Sequence, residues 1–134
     1  MGQKYLIDTC AVIKYLDEIF PLEALSFMDN IVDEDCKVSF ITKIELLVWN
    51  PPNPMDIEIR NEFLAGSEIQ FVNDEIIDRA IKIRKETNIK LPDAVIAATA
   101  MTFNFVLLSD NDKDFLKVEP LGLKYLNPKT AFIT

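Results

Sequence analysis

Blocks of apolar and polar residues alternate along the chain, and the repeat of the apolar positions changes from block to block. Short apolar runs rich in strand-forming residues predict strands. Longer segments in which apolar residues recur every three or four positions predict helices between those strands. The predicted strands cover residues 4–7, 38–41, 69–72, 105–108 and 123–126.

The predicted helices are bounded by residues that favour helix starts and ends. Thr42 is a plausible N-cap for a helix that passes through Glu45 to about Trp49, where a proline-rich segment must stop it. Thr42 and Glu45 also have the spacing of a capping box. Asn73 or Asp74 is the expected cap of a later helix. The predicted helices cover residues 11–16, 22–32, 42–49, 56–64, 76–83 and 94–103.

This alternation of strands and helices determines the expected architecture. It favours a three-layer α/β/α sandwich with a mostly parallel central sheet of about five strands and right-handed crossovers. A chain of 134 residues is long enough for one ordinary domain. We therefore expect a single domain over residues 1–134.

The residue types narrow the possible chemistry. The chain has no histidine, which removes Ser-His-Asp triads, Cys-His pairs and imidazole bases. Cys10 and Cys36 are too few for a disulfide framework or a thiolate zinc site, and free thiols are expected in a reducing compartment. Any metal site must use oxygen ligands, which favours Mg²⁺ or Mn²⁺. No apolar run approaches the roughly 20 residues of a membrane span, so we expect a cytoplasmic protein without a membrane partner.

The charge of the chain argues against simple electrostatic binding of nucleic acid. Its formal net charge is −8, whereas such binders usually present a basic face to phosphates. Bound cations would weaken this argument, because they would supply positive charge locally. The one basic stretch contains Lys82, Arg84, Lys85 and Lys90 and is interpreted mainly as a solvated helix face.

Acidic residues from distant parts of the sequence are expected at one edge of the sheet. Asp8 follows the first predicted strand, Glu45 lies one turn into the helix after the second, and Asp93 begins the helix before the fourth. An acidic corner at 109–114 follows that fourth strand. Ligands of open α/β sheets bind beyond the carboxyl ends of the strands. Clustered carboxylates repel one another unless they bind protons or a cation, so the pattern predicts a divalent metal site suited to phosphodiester hydrolysis.

Each acid also has an ordinary structural interpretation. Asp8 could be a turn or cap residue, Glu45 a capping-box residue and Asp93 an acid that complements a helix dipole. The occurrence of all three in this order favours a shared site. The motifs that contain them resemble those of PIN domains, most closely the VapC-like toxins of toxin–antitoxin pairs. The resemblance rests on residues 6–9, 42–45, 91–100, 107–115 and 123–128.

The resemblance implies roles for individual residues. Asp8 and Asp93 would be direct metal ligands, and Glu45 would be a ligand or would orient the attacking water. Asp114 would be the last acidic contributor to the metal site, and Thr9 would support the site through its hydroxyl.

The chain departs from the family pattern at two positions. Cys10 stands where the family usually has Asn or Ser, and Asn111, a further candidate supporting residue, stands where some members carry an acid. Asp110, Asp112 and Asp114 crowd the same short corner. We predict that Asp114 is the acid of this corner that contributes to the metal site, and that Asp110 is structural.

Three functions are consistent with the sequence. The resemblance implies a Mg²⁺- or Mn²⁺-dependent endoribonuclease that cleaves single-stranded or loop RNA, is silenced by a cognate antitoxin of a type II pair, and forms a homodimer. A second possibility is a catalytically silent module whose acidic pocket captures a basic partner segment. A third is a phosphotransfer or phosphatase domain with Asp8 as nucleophile, which predicts a lysine placed for phosphate and no need for Glu45.

Overall fold

The computed structural model describes residues 2–48 and 50–132. Within these ranges the structure contains the five predicted strands and eight α-helices, of which the two four-residue helices at Asp112–Phe115 and Pro128–Ala131 were not predicted. The strands are β1 (Tyr5–Ile7), β2 (Lys37–Ser39), β3 (Glu68–Gln70), β4 (Val106–Leu108) and β5 (Lys124–Leu126). The helices are α1 (Thr9–Leu16), α2 (Leu22–Asp35), α3 (Phe40–Val48), α4 (Pro54–Ala65), α5 (Asp74–Glu86), α6 (Leu91–Thr102), α7 (Asp112–Phe115) and α8 (Pro128–Ala131).

All strand pairs are parallel, but the five strands do not form one continuous hydrogen-bonded sheet. One sheet has the order β1-β4-β5, with Leu6 opposite Leu107, and a second joins β2 to β3. β2 packs beside β1, so the two sheets form neighbouring parts of one layer. The α/β class with parallel strands is thus confirmed, and the expected central sheet is divided into three strands and two.

Helices cover both faces of this layer. Successive strand residues point to opposite faces of the layer. In β1 and β4 the last two residues, one on each face, are fully buried, so both faces of the layer are covered. Leu6 packs with Ile76 and Ile96 of α5 and α6, whereas Ile7 packs with Val12 and Met28 of α1 and α2. This arrangement gives the three layers that the sequence predicts.

Two predictions about the helices, the start of α5 and the close packing of α6, are confirmed. The Asn73 side chain accepts a hydrogen bond of 2.8 Å from the backbone N–H of Ile76, which caps α5. The alanines at 97, 98 and 100 of α6 are fully buried and allow α6 to pack closely against α5.

The prediction that Thr42 caps the third helix is wrong. α3 already begins at Phe40, because Ser39 Oγ accepts from the backbone N–H of Ile41 at 3.1 Å, as an N-cap side chain does. Thr42 lies inside the helix and is buried, so no capping box joins it to Glu45. The predicted end of this helix at Trp49 lies outside the described residues.

Two of the predicted strands were too long. Residues 40 and 41 belong to α3, and residues 71 and 72, predicted as the end of the third strand, follow β3 with exposed side chains. Among the described helices, none combines the length and apolar character needed to cross a bilayer.

Candidate metal centre

Asp8 lies directly beyond the carboxyl end of β1. Its backbone N–H donates to Leu108 O at 2.9 Å, which extends the pairing of β1 with β4 and holds the residue in place. Only 4% of Asp8 is exposed, and its Oδ2 accepts from Ser109 Oγ and from Cys10 Sγ, both at 2.9 Å. Burial raises the pKa of Asp8, although these hydrogen bonds lower it in part. The structure thus holds a carboxyl group whose charge is compensated only by neutral donors.

Glu45 approaches the site from α3 and is linked to α1 through Thr9. Thr9 Oγ1 lies 2.6 Å from Glu45 Oε1 and 3.0 Å from Thr42 Oγ1. Both oxygens are placed to accept from the Thr9 hydroxyl, which has one proton, and the shorter distance favours donation to Glu45. The predicted supporting residue Thr9 therefore positions Glu45, which is itself exposed at the edge of the site.

Asp93 lies in the first turn of α6 and is half-buried. Its pKa is raised to about 6, first by burial and then by the negative charges of Asp8, Asp114 and Glu45, while Lys90 acts in the opposite direction. The four acids predicted from the sequence thus occupy one electrostatic environment, although they come from four separate segments.

The three acids of the corner at 109–114 have different partners. Asp110 forms an ion pair with Lys14, and its Oδ1 lies 3.1 Å from Cys10 Sγ. Burial would raise the pKa of Asp110, but the hydrogen bonds from Lys14 and Cys10 outweigh it and lower that pKa. Asp110 therefore has a cation of its own, which agrees with its expected structural role.

Asp112 is tied to the end of β5. Its Oδ1 accepts from Tyr125 Oη at 2.6 Å and from Asn127 Nδ2 at 3.0 Å. Burial and the hydrogen bond to this carboxylate raise the pKa of Tyr125, so the phenol stays protonated and continues to donate. Asp112 thus anchors the corner to the sheet.

Asp114 is the member of this corner whose charge is felt by Asp93. Asn111 holds it from two sides: the Asn111 side chain donates to Asp114 Oδ2 at 3.0 Å and accepts from the Asp114 backbone N–H at 3.3 Å. Asn111 is also the N-cap of α7. Asp114, supported by Asn111, is therefore the acid of this corner that acts on Asp93.

Sequence reasoning missed several residues of this network. Ser109, Lys14, Tyr125 and Asn127 were not singled out, although all hold acids of the site or its corner. A signal for Ser109 was present, since it follows β4 as Asp8 follows β1. The basic stretch at 82–90 is exposed, as a solvated helix face requires.

The donor chemistry of the four acids fits a divalent cation. Carboxylate oxygens are the ligands that Mg²⁺ and Mn²⁺ prefer. Burial and then the charges of three neighbouring carboxylates raise the pKa of Asp93, and Lys90 is the one cation that acts against them. The side chains do not form a closed cage: among the described residues, no group of three or more Asp, Glu or Cys side chains is arranged as a ready metal-binding cluster. Hydrogen bonds from Thr9, Ser109, Cys10 and Asn111 hold the acids instead.

The structure defines a parallel α/β domain with an acidic cluster at the carboxyl edge of its strands. Comparison with known proteins makes this description more specific. The sequence profile of the PIN domain matches residues 5–120, and the chain belongs to the PIN-domain family. A protein named Ribonuclease VapC from Rickettsia bellii (strain RML369-C) is 31% identical over 110 residues, which cover 80% of this chain and 72% of that protein.

Solved structures share the fold at low sequence identity. The DNA-bound VapBC structure from Salmonella typhimurium superposes with a TM-score of 0.80 at 18% identity and covers 95% of this chain and 99% of that one. FitAcB from Neisseria gonorrhoeae gives a TM-score of 0.74 at 22% identity, with coverages of 92% and 97%. The likeness extends over nearly the whole length of each chain.

Proposed function

We propose that this chain is a divalent-metal-dependent endoribonuclease and the toxin of a type II toxin–antitoxin pair. The observation that carries the proposal is the gathering of Asp93 with three other carboxylates from separate segments of the chain. The pKa of Asp93 is raised to about 6. The similarity to a protein named Ribonuclease VapC supports RNA as the substrate.

In this proposal each acid has a separate task. Asp8, Asp93 and Asp114 hold Mg²⁺ or Mn²⁺, and Glu45, fixed by Thr9, orients the attacking water and accepts its proton. The cation, when bound, supplies positive charge against the phosphate oxygens and acidifies the attacking water. Asn111 keeps Asp114 turned toward the site.

The net charge of −8 would repel RNA, so the substrate needs local positive charge. A cation held by the acids provides part of it. Lys90, exposed at the N-cap position of α6 and close enough to lower the pKa of Asp93, provides another part. We therefore expect the RNA backbone to enter over the start of α6.

The direct test is cleavage of a mixed RNA substrate by purified protein with Mn²⁺ or Mg²⁺. Asp93→Asn should lose activity while keeping its fold, because it removes one ligand charge without changing side-chain size. Asp78→Asn, on the exposed face of α5, is the matched acid-to-amide control and should cleave normally. An unchanged rate in Asp93→Asn would exclude the mechanism.

We further propose an antitoxin partner and a homodimer. The similar structures include DNA-bound VapBC from Salmonella typhimurium and VapBC2 from Rickettsia felis bound to a promoter DNA fragment. A groove of about 700 Å³ between α5 and α6 is lined by exposed apolar side chains, among them Ile77, Ile81 and Leu91, and supports burial against a protein. Light scattering of the purified chain tests the dimer, and co-purification with the product of an adjacent gene tests the antitoxin.

A catalytically silent binding module is the alternative, and the lack of a ready cluster of three ligands among the described residues favours it. Titration with Mn²⁺ separates the two functions. Binding by the acids should raise the melting temperature, whereas a silent module should show no metal-dependent stabilisation. The phosphotransfer alternative needs a lysine for phosphate beside Asp8, and Lys14, which reaches this network, is instead paired with Asp110.

A further inference from the structure

A network of polar side chains beside Asp8 has no role in the proposed cleavage reaction. It consists of Cys10 and Lys14 on α1 and Ser109 and Asp110 beyond β4. Cys10 and Lys14 are four residues apart, so they lie on the same face of α1 and both point at the β4–α7 corner. The network thus joins α1 to the β4–α7 corner, and Cys10 and Ser109 connect it directly to Asp8.

The thiol of Cys10 has more acceptors than protons. Its Sγ lies 2.9 Å from Asp8 Oδ2 and 3.1 Å from Asp110 Oδ1. A thiol carries one proton, so it donates to only one of these carboxylates at a time. The thiol donates its hydrogen bond to the carboxylate that is the stronger acceptor.

Lys14 changes that competition. Its ammonium group is paired with Asp110 Oδ2; the Asp110 side chain is only 8% exposed, and that of Lys14 is 38% exposed. The pairing neutralises much of the charge on Asp110 and makes it a poorer acceptor. Asp8 has no such cation among the hydrogen bonds that reach it: its side-chain donors are Ser109 and Cys10, both neutral.

We propose that Cys10, Asp110 and Lys14 are positioning residues for Asp8: Lys14 satisfies Asp110, and this leaves the thiol proton of Cys10 to hold Asp8. Donation from Cys10 and Ser109 converges on Oδ2, so the other oxygen, Oδ1, accepts neither of these side-chain bonds. The carboxylate is thereby held in one orientation with Oδ1 directed to a cation. The inference rests on the proposed function to the extent that Asp8 is a metal ligand.

The first test compares Mn²⁺ binding by calorimetry in three single variants. Cys10→Ala removes the donor and should weaken binding by roughly three- to tenfold, the effect of one ordinary hydrogen bond. Cys10→Ser keeps a donor and should restore affinity to within about twofold of the native protein. Cys36→Ala is the matched control, because Cys36 contacts Ser67 and not the acids.

A double-mutant cycle tests the role of Lys14. Lys14→Met leaves Asp110 without its cation, so Asp110 should draw the thiol proton away from Asp8. The added negative charge acts on Mn²⁺ in both backgrounds, whereas loss of the thiol contact acts only where Cys10 is present. The effect of Lys14→Met on affinity should therefore be more unfavourable in the native background than in Cys10→Ala, by about threefold or more. Equal effects in the two backgrounds would overturn the proposal.

Crystal structures of the native protein and Cys10→Ala without metal give a readout that does not depend on Mn²⁺. We expect one orientation of the Asp8 carboxylate in the native protein and a rotated or mixed orientation in the variant. An unmoved carboxylate together with unchanged affinity would overturn the inference. Failure of the native protein to bind Mn²⁺ would instead overturn the proposed function, and the carboxylate orientation would still decide the positioning role.

Discussion

The two ends of the parallel layer bury charge in opposite ways. At the amino end, Lys37 begins β2 and is 4% exposed, and its ammonium lies 2.8 Å from Asp35 and 3.2 Å from Glu68. At the carboxyl end, Asp8 is equally buried at 4%, yet its side-chain donors are the neutral groups of Ser109 and Cys10.

The pKa shifts express the same difference. Burial would lower the pKa of Lys37, but the hydrogen bonds that its ammonium donates to Asp35 and Glu68 outweigh burial and raise it. At Asp8 burial outweighs the hydrogen bonds and raises the pKa, which favours the neutral form of the carboxyl group. A buried charge with its counter-charge in place contributes to the fold, whereas an acid left without one is suited to hold a cation from solution.

The largest expected effect comes from removing charge at the carboxyl end. Asp8→Asn should lower Mn²⁺-dependent RNA cleavage by about 100-fold or more, because a metal ligand is lost. Its stability without metal should be unchanged or higher, since an uncompensated buried charge is removed while a carbonyl oxygen still accepts from Ser109. Initial cleavage rates and urea unfolding measure the two quantities. Retained activity with lost stability would show that the charge of Asp8 stabilises the fold, as that of Lys37 does, and does not bind a cation.

The opposite result is expected at the amino end. Lys37→Ala should lower the free energy of unfolding by about 1–3 kcal/mol, because the buried stem and its ion pairs are lost together. The ammonium also lies 5.7 Å from the centre of the Phe105 ring, a further contact that disappears. Lys37→Met keeps the stem and should recover part of the loss. RNA cleavage at saturating Mn²⁺ should not change, and a drop in the folded variant would contradict the division between the two ends.

The pH dependence of stability should reveal the uncompensated acids. The folded-state pKa of Asp93 is raised from 3.8 to about 6, so its contribution is fully present below pH 3.8 and is lost as pH rises through about 6. Relative to Asp93→Asn, the metal-free native protein should therefore lose about 1–2 kcal/mol between pH 4 and 7 after allowance for solvent screening. Unfolding curves in chelator measure this difference, and saturating Mn²⁺ should reverse it. If the difference in free energy of unfolding between the native protein and Asp93→Asn does not vary with pH, Asp93 does not lie in a cluster of uncompensated acids.

The smallest expected effect is on the stability of Glu45→Gln. Glu45 is exposed, and a glutamine oxygen can still accept from Thr9, so the free energy of unfolding should stay within about 0.5 kcal/mol of the native value. RNA cleavage should nevertheless fall, since the amide cannot accept a proton from water. Glu58→Gln, an exposed acid on α4, is the control and should change neither quantity. A large loss of stability in Glu45→Gln would show that the charge of Glu45 stabilises the fold.

Much of the fold was predictable because its signals are local. The period of the apolar residues identified every strand, and Asn73 marked the start of α5. The errors lie where apolar runs continue past a strand. Ser39 caps α3 and turns Phe40 and Ile41 into a helix start, which the strand-like sequence at 38–41 did not indicate.

The candidate site was predictable in part, because the topology of a parallel α/β sheet brings segments that follow its strands to one edge. Asp8, Glu45 and Asp93 could be grouped on that ground. The acids at 110, 112 and 114 could not be distinguished, because they differ only in partners that come from elsewhere. Lys14 comes from α1 and Tyr125 from β5, and no local pattern predicts those pairings.

The sequence by itself determined the alternation of strands and helices, the absence of imidazole chemistry and of thiolate zinc sites, and the set of acids available at the carboxyl edge. These follow from side-chain period and residue type, which are local properties. The tertiary structure alone decided the division of the sheet, the place of Thr42 inside α3, and which acids have counter-charges. Those depend on distances between segments far apart in the chain, and the free energy of a charge depends on what lies within a few ångströms of it.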